Sequence, residues 1–386
     1  MHQTSFNSII NFNRYTAGTA VDSQGALVII DPNQPRFDYD PTTLEPKGFL
    51  VESQSTNLIL NSSSFNTSPW VNSNASVVQE PNTELGSVLS CFRLSDNSTN
   101  SEHSLSQVLA LEQGKVYSVS VFVKQNTKQY ISLSVNDGAL KKVFFNLTNG
   151  TASISAGVSY GLSISFKSNW YRCTFAFTAE STSCTAKVAL ANSSSTDSYL
   201  GDSNGSVLIQ GFQIEQSKHM SSYIPTSTQQ VTRTEDSAYL SNPMNWYSSG
   251  VGTLFVEGTS AYAGTDNTAG ECMVSIADPV RTNFVNVNKS IDGLVNIQSI
   301  RNGTDVYDSK SMDWLGDSTK RVAYAFGSAG YKVYVNTLLQ VKSEDLTPST
   351  EVLSSAFNSS NFGGWIRKIK FYPFELDDKQ LKEITS

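Results

Sequence analysis

The 386-residue sequence has few charged side chains: Asp, Glu, Lys and Arg make up 16% of it, against about 25% in an average soluble domain. Disordered chains combine high charge with few aromatic residues. Here 11% of the residues are aromatic and 39% are hydrophobic, so we expect packed cores. The net charge of −7 argues against nucleic-acid binding, which requires Lys and Arg to neutralise phosphates.

Long apolar runs and cysteine patterns are also lacking. The longest apolar stretches, such as residues 27–30, are far below the ~18 residues that span a bilayer, so we expect no membrane insertion. Residues 1–14 lack the basic and apolar blocks of a signal peptide. The chain has four cysteines: Cys91, Cys173, Cys184 and Cys272. Their spacing fits neither a metal site nor a disulfide scaffold, so we predict free thiols in a chain made in a reducing cytosol.

Motifs of common enzymes are absent. The three histidines, His2, His103 and His219, have no paired metal-ligand spacing, and no GxSxG, GxGxxG or phosphate-binding loop occurs. A pair of glycosidase carboxylates would leave no local motif, because folding alone brings the two together. The sequence therefore predicts a protein without catalytic activity. A polysaccharide-degrading enzyme remains the alternative.

What the sequence does contain is alternation with a period of two. In residues 116–124, Tyr117, Val119, Val121 and Val123 share one face, and the polar residues share the other, with Phe122 as an apolar exception. Residues 130–135, 170–178 and 207–215 repeat the pattern. This alternation predicts β-strands, and the Asn-, Gly- and Ser-rich segments between them predict tight turns. The predicted fold class is all-β, with tandem antiparallel sandwiches.

This pattern divides the chain into three segments. Residues 1–54 are rich in turn residues and predict an extended N-terminal arm, residues 55–235 form a first β-unit, and residues 236–386 form a second. One short helix is predicted at the C-terminus, because Asp377 and Gln380 have the spacing of a capping box and Leu376 can pack on Leu381.

Two sets of short motifs resemble those of tailed-phage head-fibre, head-spike and tail-fibre proteins. The first set is Asn11-Phe12-Asn13-Arg14, Asp22-Ser23-Gln24-Gly25, Pro35-Arg36-Phe37-Asp38-Tyr39-Asp40-Pro41, Gly48-Phe49-Leu50-Val51-Glu52 and Ser55-Thr56-Asn57-Leu58. The second set is Gly211-Phe212-Gln213-Ile214-Glu215, Ser222-Tyr223-Ile224-Pro225-Thr226 and Thr232-Arg233. The resemblance extends over residues 1–235 and implies a carbohydrate-binding-module-like jelly roll in residues 55–235.

Residues 236–386 are similar to a concanavalin/laminin-G-like sandwich. The matching motifs are Gly252-Thr253-Leu254-Phe255-Val256-Glu257, Tyr334-Val335-Asn336 and Gly364-Trp365-Ile366-Arg367. Thr337 occupies the position at which such a strand normally has Gly, which argues against a tight type I′ turn there.

The resemblance implies a virion fibre or spike protein that binds a host-surface glycan without cleaving it, as a homo-oligomer, most simply a homotrimer. Its partners would be other virion proteins and a host glycan, and its place would be the virion surface after synthesis in the host cytoplasm. The alternative without a sugar ligand is a decoration or adaptor protein that contacts other virion proteins.

Exposed aromatic side chains beside polar residues are the candidate sugar-binding groups. They are Trp70, Trp246, Tyr247 and Trp314. By contrast, Trp170, Tyr171 and Trp365 lie in or beside predicted strands, so we expect a structural role for these three.

Two further groups of polar residues have alternative uses. Arg36, Asp38 and Asp40 could hold a contact between domains or subunits, although the turn chemistry of Asp is the more ordinary explanation. Asp96, Asp202 and Glu215 could belong to a structural calcium site if folding makes their oxygens converge. No other cofactor is predicted.

Overall fold

The computed structural model describes residues 10–81, 84–158, 161–240, 251–261, 271–277, 284–289, 294–301, 304–313, 318–327, 330–343 and 363–386. These residues form antiparallel β-sheets and one short α-helix, so the all-β prediction is confirmed. No helix among them is long and apolar enough to cross a membrane.

The N-terminal segment and the first sandwich contain most of the strands. The N-terminal strands are β1 (Ile10–Asn13), β2 (Gly18–Val21), β3 (Leu27–Ile30), β4 (Arg36–Tyr39) and β5 (Pro46–Val51). The next strands are β6 (Ser55–Asn57), β7 (Val71–Ser73), β8 (Ala75–Glu80), β9 (Cys91–Asp96), β10 (Asn100–Glu102), β11 (Ser104–Ala110), β12 (Val116–Gln125), β13 (Tyr130–Asn136), β14 (Leu140–Asn146), β15 (Thr151–Ala156), β16 (Gly161–Phe166), β17 (Trp170–Thr178), β18 (Ser183–Ala191), β19 (Ser198–Leu200), β20 (Ser206–Glu215), β21 (Val231–Arg233) and β22 (Ser237–Leu240). A 3₁₀ turn, Lys167–Asn169, joins β16 to β17.

The C-terminal part continues the pattern. Its elements are β23 (Gly252–Ser260), β24 (Glu271–Ala277), β25 (Phe284–Lys289), β26 (Leu294–Arg301), β27 (Thr304–Asp313), β28 (Thr319–Gly327), β29 (Gly330–Val335), β30 (Leu338–Ser343), β31 (Gly364–Tyr372) and the helix α1 (Asp378–Ile384). The strands β12, β13, β17 and β20 lie within one residue of the ranges predicted from the sequence, because alternation fixes strand positions well.

Two six-stranded sheets form the first sandwich. Sheet I has the order β15-β14-β13-β18-β11-β7, and sheet II has the order β16-β17-β12-β20-β9-β8. The predicted inner face of β12 is confirmed, because Tyr117, Val119, Val121 and Val123 all lie in the core between the sheets. Phe122, the exception in the pattern, is buried on the outer face of sheet II.

The second sandwich packs a seven-stranded sheet against a four-stranded one. Sheet III has the order β30-β29-β28-β23-β31-β5-β4, and sheet IV has the order β24-β25-β26-β27. Val287, Val295 and Ile297 of sheet IV share one core with residues of sheet III. On the other face of sheet III, Leu376 and Leu381 of the α1 region pack on the sheet, and the predicted capping box of Asp377 and Gln380 is present.

The N-terminal segment is more structured than an extended arm. Its strands β4 and β5 pair onto β31 and extend sheet III, β1 pairs with β22, and the β2–β3 hairpin places Val21 and Leu27 over Phe122 on the outer face of sheet II. The sequence missed these strands because the partners β22 and β31 lie far away in the chain. The segment therefore contacts both sandwiches.

A buried group of charges joins the same parts of the chain. The side chain of Arg36 donates hydrogen bonds to Glu52, at 2.7 Å, and to Asp236. Arg14 reaches the same Asp236 carboxylate at 3.2 Å, and Arg233 lies 3.5 Å from Glu52. Charges that are fully buried are stable only when paired in this way. Arg36 thus makes the inter-domain contact that the sequence left open.

The turn between β29 and β30 corrects one expectation. Val335 pairs with Leu338, which leaves a two-residue loop, and Asn336 and Thr337 have φ angles of 45° and 71°. Two positive φ angles are what a type I′ turn requires, so the tight turn forms despite Thr337. A hydrogen bond of 3.0 Å from the Thr337 N–H to the Thr385 hydroxyl supports it.

Candidate functional site

Three of the four candidate aromatic residues, Trp246, Tyr247 and Trp314, lie outside the described residues. Trp70 is described and is 8% exposed. Its ring packs edge-on against Phe65 and Phe212, and its Nε1 donates a 3.0 Å hydrogen bond to a backbone carbonyl. Trp70 is therefore a core residue of the first sandwich and not an exposed platform for a ligand.

The aromatic residues expected to be structural divide into two cases. Trp170 is fully buried and donates a hydrogen bond from Nε1 to Glu84 at 2.8 Å, as a core tryptophan should. Trp365 is only partly buried, and it lines a cavity of about 200 Å³. The cavity lies between the edge of sheet III, the outer face of sheet II and the segment of residues 219–223.

Trp365 is held in the cavity by a residue two strands away. Its Nε1 donates a 2.8 Å hydrogen bond to Asp38 Oδ2. Trp365 is on β31 and Asp38 is on β4, with β5 between them, so the indole crosses over β5. Gly48 of β5, the strand that the indole crosses, pairs with Asp38.

Gly48 also has a backbone that suits few other residues. Its φ angle is +118°, and a Cβ atom there would lie 2.6 Å from the carbonyl oxygen of Ile366. L-residues rarely adopt such φ angles. Glycine is therefore required at this position for both its conformation and its close approach to β31.

A cation and a carboxylate flank the indole. The Lys47 ammonium group lies 3.4 Å from the centroid of the Trp365 ring, which is a cation–π contact. Asp38 Oδ1 accepts a 2.7 Å hydrogen bond from the Val21 N–H. The cavity thus has an aromatic plane with a positive and a negative group at its border.

The opposite wall is apolar. Leu162, Ile164 and Phe166 alternate along β16, the edge strand of sheet II, and so share one face. Leu162 and Ile164 are 50% and 37% exposed, whereas Phe166 is buried. Exposed aliphatic side chains beside an indole provide the apolar contact that ligand pockets use for most of their area.

Burial sets the electrostatics of Asp38. It raises the pKa of the Asp38 carboxyl above the ordinary value, while the hydrogen bonds from Val21 and Trp365 and the charge of Lys47 act in the opposite direction. A carboxyl group of this kind accepts hydrogen bonds from ligand hydroxyls when ionised and donates one when protonated.

Glu52 also lines the cavity, but its pKa is shifted in the opposite direction. Burial by itself would raise its pKa, but the charges of Arg233 and Arg36 and the hydrogen bonds from Ser222 lower the pKa of Glu52 to about 2. Its oxygens accept from the Ser222 N–H at 2.7 Å, the Ser222 hydroxyl at 2.6 Å and Arg36 at 2.7 Å. Glu52 is thus occupied by protein donors and supports the fold around the cavity.

A second, more open groove of about 650 Å³ lies on sheet II. Arg93 pairs with Glu80 at 2.9 Å and Glu84 with Lys124 at 2.7 Å, whereas Lys167 donates a 3.1 Å hydrogen bond to the Gln24 carbonyl. The described residues that line it include no aromatic side chain. The smaller cavity is therefore the better candidate for a ligand-binding site, because it combines an aromatic ring with charged groups.

The three candidate calcium ligands, Asp96, Asp202 and Glu215, are not brought together. Asp96 lies beside the first residues of β20 and Glu215 ends that ten-residue strand, which separates them by about 30 Å at 3.3 Å per residue. Asp96 accepts hydrogen bonds from the Gly205 N–H and the Tyr199 hydroxyl, both at 3.0 Å. Glu215 accepts one from the Ser221 N–H at 2.6 Å. Among the described residues, no group of three or more His, Cys, Asp or Glu side chains could hold a metal ion.

The arm residues have separate roles. Asp38 makes the inter-domain hydrogen bond to Trp365, whereas Asp40 accepts from the N–H groups of Thr42 and Thr43 at 2.9 and 2.7 Å. Asp40 is thus a turn residue. In the described part of the chain, Cys91, Cys173 and Cys184 are free thiols, as predicted.

No known protein family and no curated protein matches the sequence. Among solved structures, the chain is similar to domain 4 of AbnA, a GH43 extracellular arabinanase from Geobacillus stearothermophilus in complex with arabinotriose. The identity is 14%, the match covers 44% of this chain and 82% of that one, and the TM-score is 0.33.

Two further solved structures show similar levels of likeness. The Ruminococcus gnavus IT-sialidase CBM40 bound to α2,3-sialyllactose is 16% identical over 36% of this chain and 83% of that one, with a TM-score of 0.29. The LG1-3 region of the laminin α2 chain is 10% identical over 72% of this chain and 66% of that one, with a TM-score of 0.27. Likeness at this level assigns no function, which depends on the chemistry of the cavity itself.

Sequence reasoning missed Trp365 as a site residue. The signal was present, because Ile366 is a core residue and alternation places its neighbour Trp365 on the other face of the strand. What the sequence could not show is that Asp38 and Lys47, near the opposite end of the chain, lie beside it.

Proposed function

We propose that this chain is a carbohydrate-binding protein without catalytic activity, and that the cavity beside Trp365 holds one sugar ring of a larger glycan. The observation that carries the proposal is the indole of Trp365 fixed by Asp38 and faced by Lys47. Sugars present C–H faces that pack on aromatic planes and hydroxyl groups that bond to charged side chains.

The size of the cavity supports a single ring. Its volume of about 200 Å³ is below the ~300–1,000 Å³ of pockets for drug-sized ligands. The exposed side chains of Leu162 and Ile164 form an open border, through which the rest of a glycan would extend into solvent. The site thus suits a terminal or branching residue of a surface polysaccharide.

We also propose the setting that the sequence motifs imply: a fibre or spike subunit of a tailed-phage virion, exposed on the virion surface after synthesis in the host cytoplasm. The ligand would then be a host-surface glycan. A homotrimer fits this setting, since repeated subunits turn a weak site into strong attachment. The alternative is a decoration protein that binds only other virion proteins.

The alternative of an enzyme has one observation in its favour, because Asp38 and Glu52 both line the cavity and have pKa values shifted in opposite directions. A glycosidase needs such a pair. The charges of Arg233 and Arg36 and the hydrogen bonds from Ser222, however, lower the pKa of Glu52 to about 2, which makes its carboxylate a weak base and leaves it without a proton to donate at neutral pH. We therefore favour binding without cleavage.

An array of bacterial surface polysaccharides tests the proposal. We expect the wild-type protein to bind at least one glycan, and Trp365→Ala to lose that binding. Tyr15→Ala is the matched control, because Tyr15 is an aromatic residue that is 77% exposed and lies outside the cavity. Binding that is equal in all three proteins would contradict the proposed site.

The same glycan tests the alternatives. We expect no new reducing ends after prolonged incubation, and any turnover that Glu52→Gln abolishes would establish the enzyme instead. A protein that binds no glycan and no host cell, but occupies a fixed number of sites on the virion, would establish the decoration role.

A further inference from the structure

The cavity beside Trp365 has a buried cation on the wall opposite Asp38. Arg172 is on β17 of sheet II and lines the cavity, although it is only 6% exposed. Asp38 lines the cavity from β4 of sheet III. An arginine side chain in a protein keeps its charge. The sheet II wall therefore carries a permanent positive charge that is almost fully removed from solvent.

The strand pattern explains why Arg172 faces the cavity and not the core. Its neighbour Cys173 is buried between the two sheets of the first sandwich, so alternation turns Arg172 to the outer face of sheet II. There the guanidinium carbon lies 5.1 Å from the ring centroid of Phe122. Ile164, which pairs with Arg172 from β16, lines the same cavity. The guanidinium is thus held at a wall that is otherwise apolar.

The hydrogen bonds of Arg172 all go to neutral acceptors. Nε and Nη2 donate to the Ser120 hydroxyl at 3.3 and 3.1 Å, and Nη1 donates to the Ser221 carbonyl at 2.8 Å. A guanidinium has five N–H donors. One N–H on each terminal nitrogen is therefore left without an acceptor among the residues that the structure describes.

The charge of Arg172 is also less well compensated than that of Arg36. Arg36 forms ion pairs with both Glu52 and Asp236, whereas Arg172 forms none with a carboxylate in the described part of the chain. Burial lowers the pKa of Arg172, and the charges of Glu215 and Glu52 offset this effect only in part. Because buried charges are stable when they are paired, an anion in the cavity would stabilise Arg172.

We propose that the ligand of the cavity is an acidic sugar, such as a hexuronic acid, whose ring carboxylate binds the guanidinium of Arg172. This inference rests on the proposed sugar site and names the class of its ligand. A carboxylate and a guanidinium are both planar and form two parallel N–H···O hydrogen bonds. With the carboxylate at sheet II, the ring and its hydroxyl groups extend across the cavity to Trp365 and Asp38.

Other sugars fit the cavity less well. A neutral sugar would leave the buried charge of Arg172 without a counter-charge. A phosphate monoester carries about −1.5 to −2, which is more than one guanidinium balances in a cavity that Asp38 and Glu52 also line. A carboxylate brings a single charge and therefore matches Arg172 most closely.

Titrations followed by saturation-transfer NMR test this assignment with matched glycosides. The methyl glycosides of glucuronic and galacturonic acid differ from those of glucose and galactose only in the carboxylate, and the uronate methyl esters lack its charge. We expect at least one uronide to bind the wild-type protein about tenfold more tightly than its neutral counterpart and its ester. This comparison uses only the wild-type protein, so it does not depend on the folding of a variant.

Two arginine variants locate the carboxylate. Arg172→Gln should lose the preference and bind the uronide and its neutral counterpart within about twofold of each other. Arg93→Gln makes the same change of charge at an exposed position of β9 outside the cavity, and it should keep the preference. Thermal unfolding of each variant shows that it is folded.

The inference is overturned if the wild-type protein binds uronides no more tightly than their neutral counterparts. It is also overturned if folded Arg172→Gln keeps the preference. In either case, glycan binding that Trp365→Ala abolishes would leave the proposed sugar site in place. The absence of binding to every glycan would remove the site itself, and the inference with it.

Discussion

The indole Nε1 of Trp365 and the carboxylate of Asp38 are joined by a 2.8 Å hydrogen bond across 327 residues of sequence. Asp38 is on β4, which is the edge strand of sheet III. The N-terminal segment is therefore a part of the C-terminal sandwich, and the hydrogen bond joins the two ends of the chain within one sheet. The proposed sugar site exists only when both ends of the chain are folded together.

Replacing Trp365 by Ala should weaken glycan binding at least tenfold, a loss of about 1.4 kcal/mol, because the aromatic plane and the donor to Asp38 both disappear. Trp365→Phe should fall in between, since it keeps a ring but loses the Nε1–H. Isothermal titration with the glycan selected on the array measures both variants. An intact affinity for folded Trp365→Ala would place the ligand elsewhere.

Gly48→Ala should destabilise the protein and weaken binding, because a Cβ atom would lie 2.6 Å from the Ile366 carbonyl at a φ angle of +118°. Gly138→Ala is a matched control: its φ angle is +103°, but no described atom lies within 4 Å of its Cβ position. Backbone strain at one such residue costs about 1–3 kcal/mol. Denaturant unfolding should therefore show a larger loss for Gly48→Ala than for Gly138→Ala, and equal losses would refute the close approach.

Thr337→Gly should stabilise the second sandwich by about 1 kcal/mol, because Thr337 has a φ angle of 71° that is costly for a β-branched residue. The variant keeps the backbone N–H that bonds to Thr385. Asn336→Gly is the comparison, and it should not stabilise, since the Asn336 side chain accepts a 2.8 Å hydrogen bond from the Arg321 N–H. Thermal unfolding compares the two, and a lower midpoint for Thr337→Gly would contradict the turn geometry.

Acid should destabilise the protein partly through Glu52. Its pKa of about 2 in the folded state is below the ordinary 4.5, so its contribution is fully present above pH 4.5 and is lost as the pH falls through 2. Between these values the free energy of unfolding should fall by on the order of 3 kcal/mol more in the wild type than in Glu52→Gln.

The control for this pH effect is Glu45→Gln, at an exposed position, which should keep the acid dependence of the wild type. Urea unfolding between pH 2 and pH 6 supplies the measurement. Glu52→Gln should also be less stable than the wild type at neutral pH, because Arg36 and Arg233 lose a buried counter-charge. An identical acid dependence in Glu52→Gln and the wild type would exclude this role.

Much of the fold could be predicted from local patterns. The alternation in residues 116–124 placed β12 and its inner face, and the spacing of Asp377 and Gln380 placed the start of α1. Such patterns depend only on neighbouring residues. The strands β4 and β5 were missed because their stability comes from pairing with β31, near the opposite end of the chain, and no local signal encodes that partner.

The site was harder to predict for the same reason. Trp70, selected because it lies near polar residues, is in the core, whereas Trp365, expected to be structural because it lies in a strand, lines the cavity. Whether a tryptophan faces a core or a cavity depends on what covers its strand, and here that cover comes from the first sandwich. Asp38 and Lys47 could not be linked to Trp365 before the fold was known.

The most direct test of the proposed function is a crystal structure of the protein with the glycan selected on the array. The proposal predicts a sugar ring in the cavity between the two sandwiches, packed beside the Trp365 indole with a hydroxyl group within hydrogen-bond distance of Asp38. A bound glycan that leaves this cavity empty and contacts neither residue would contradict it.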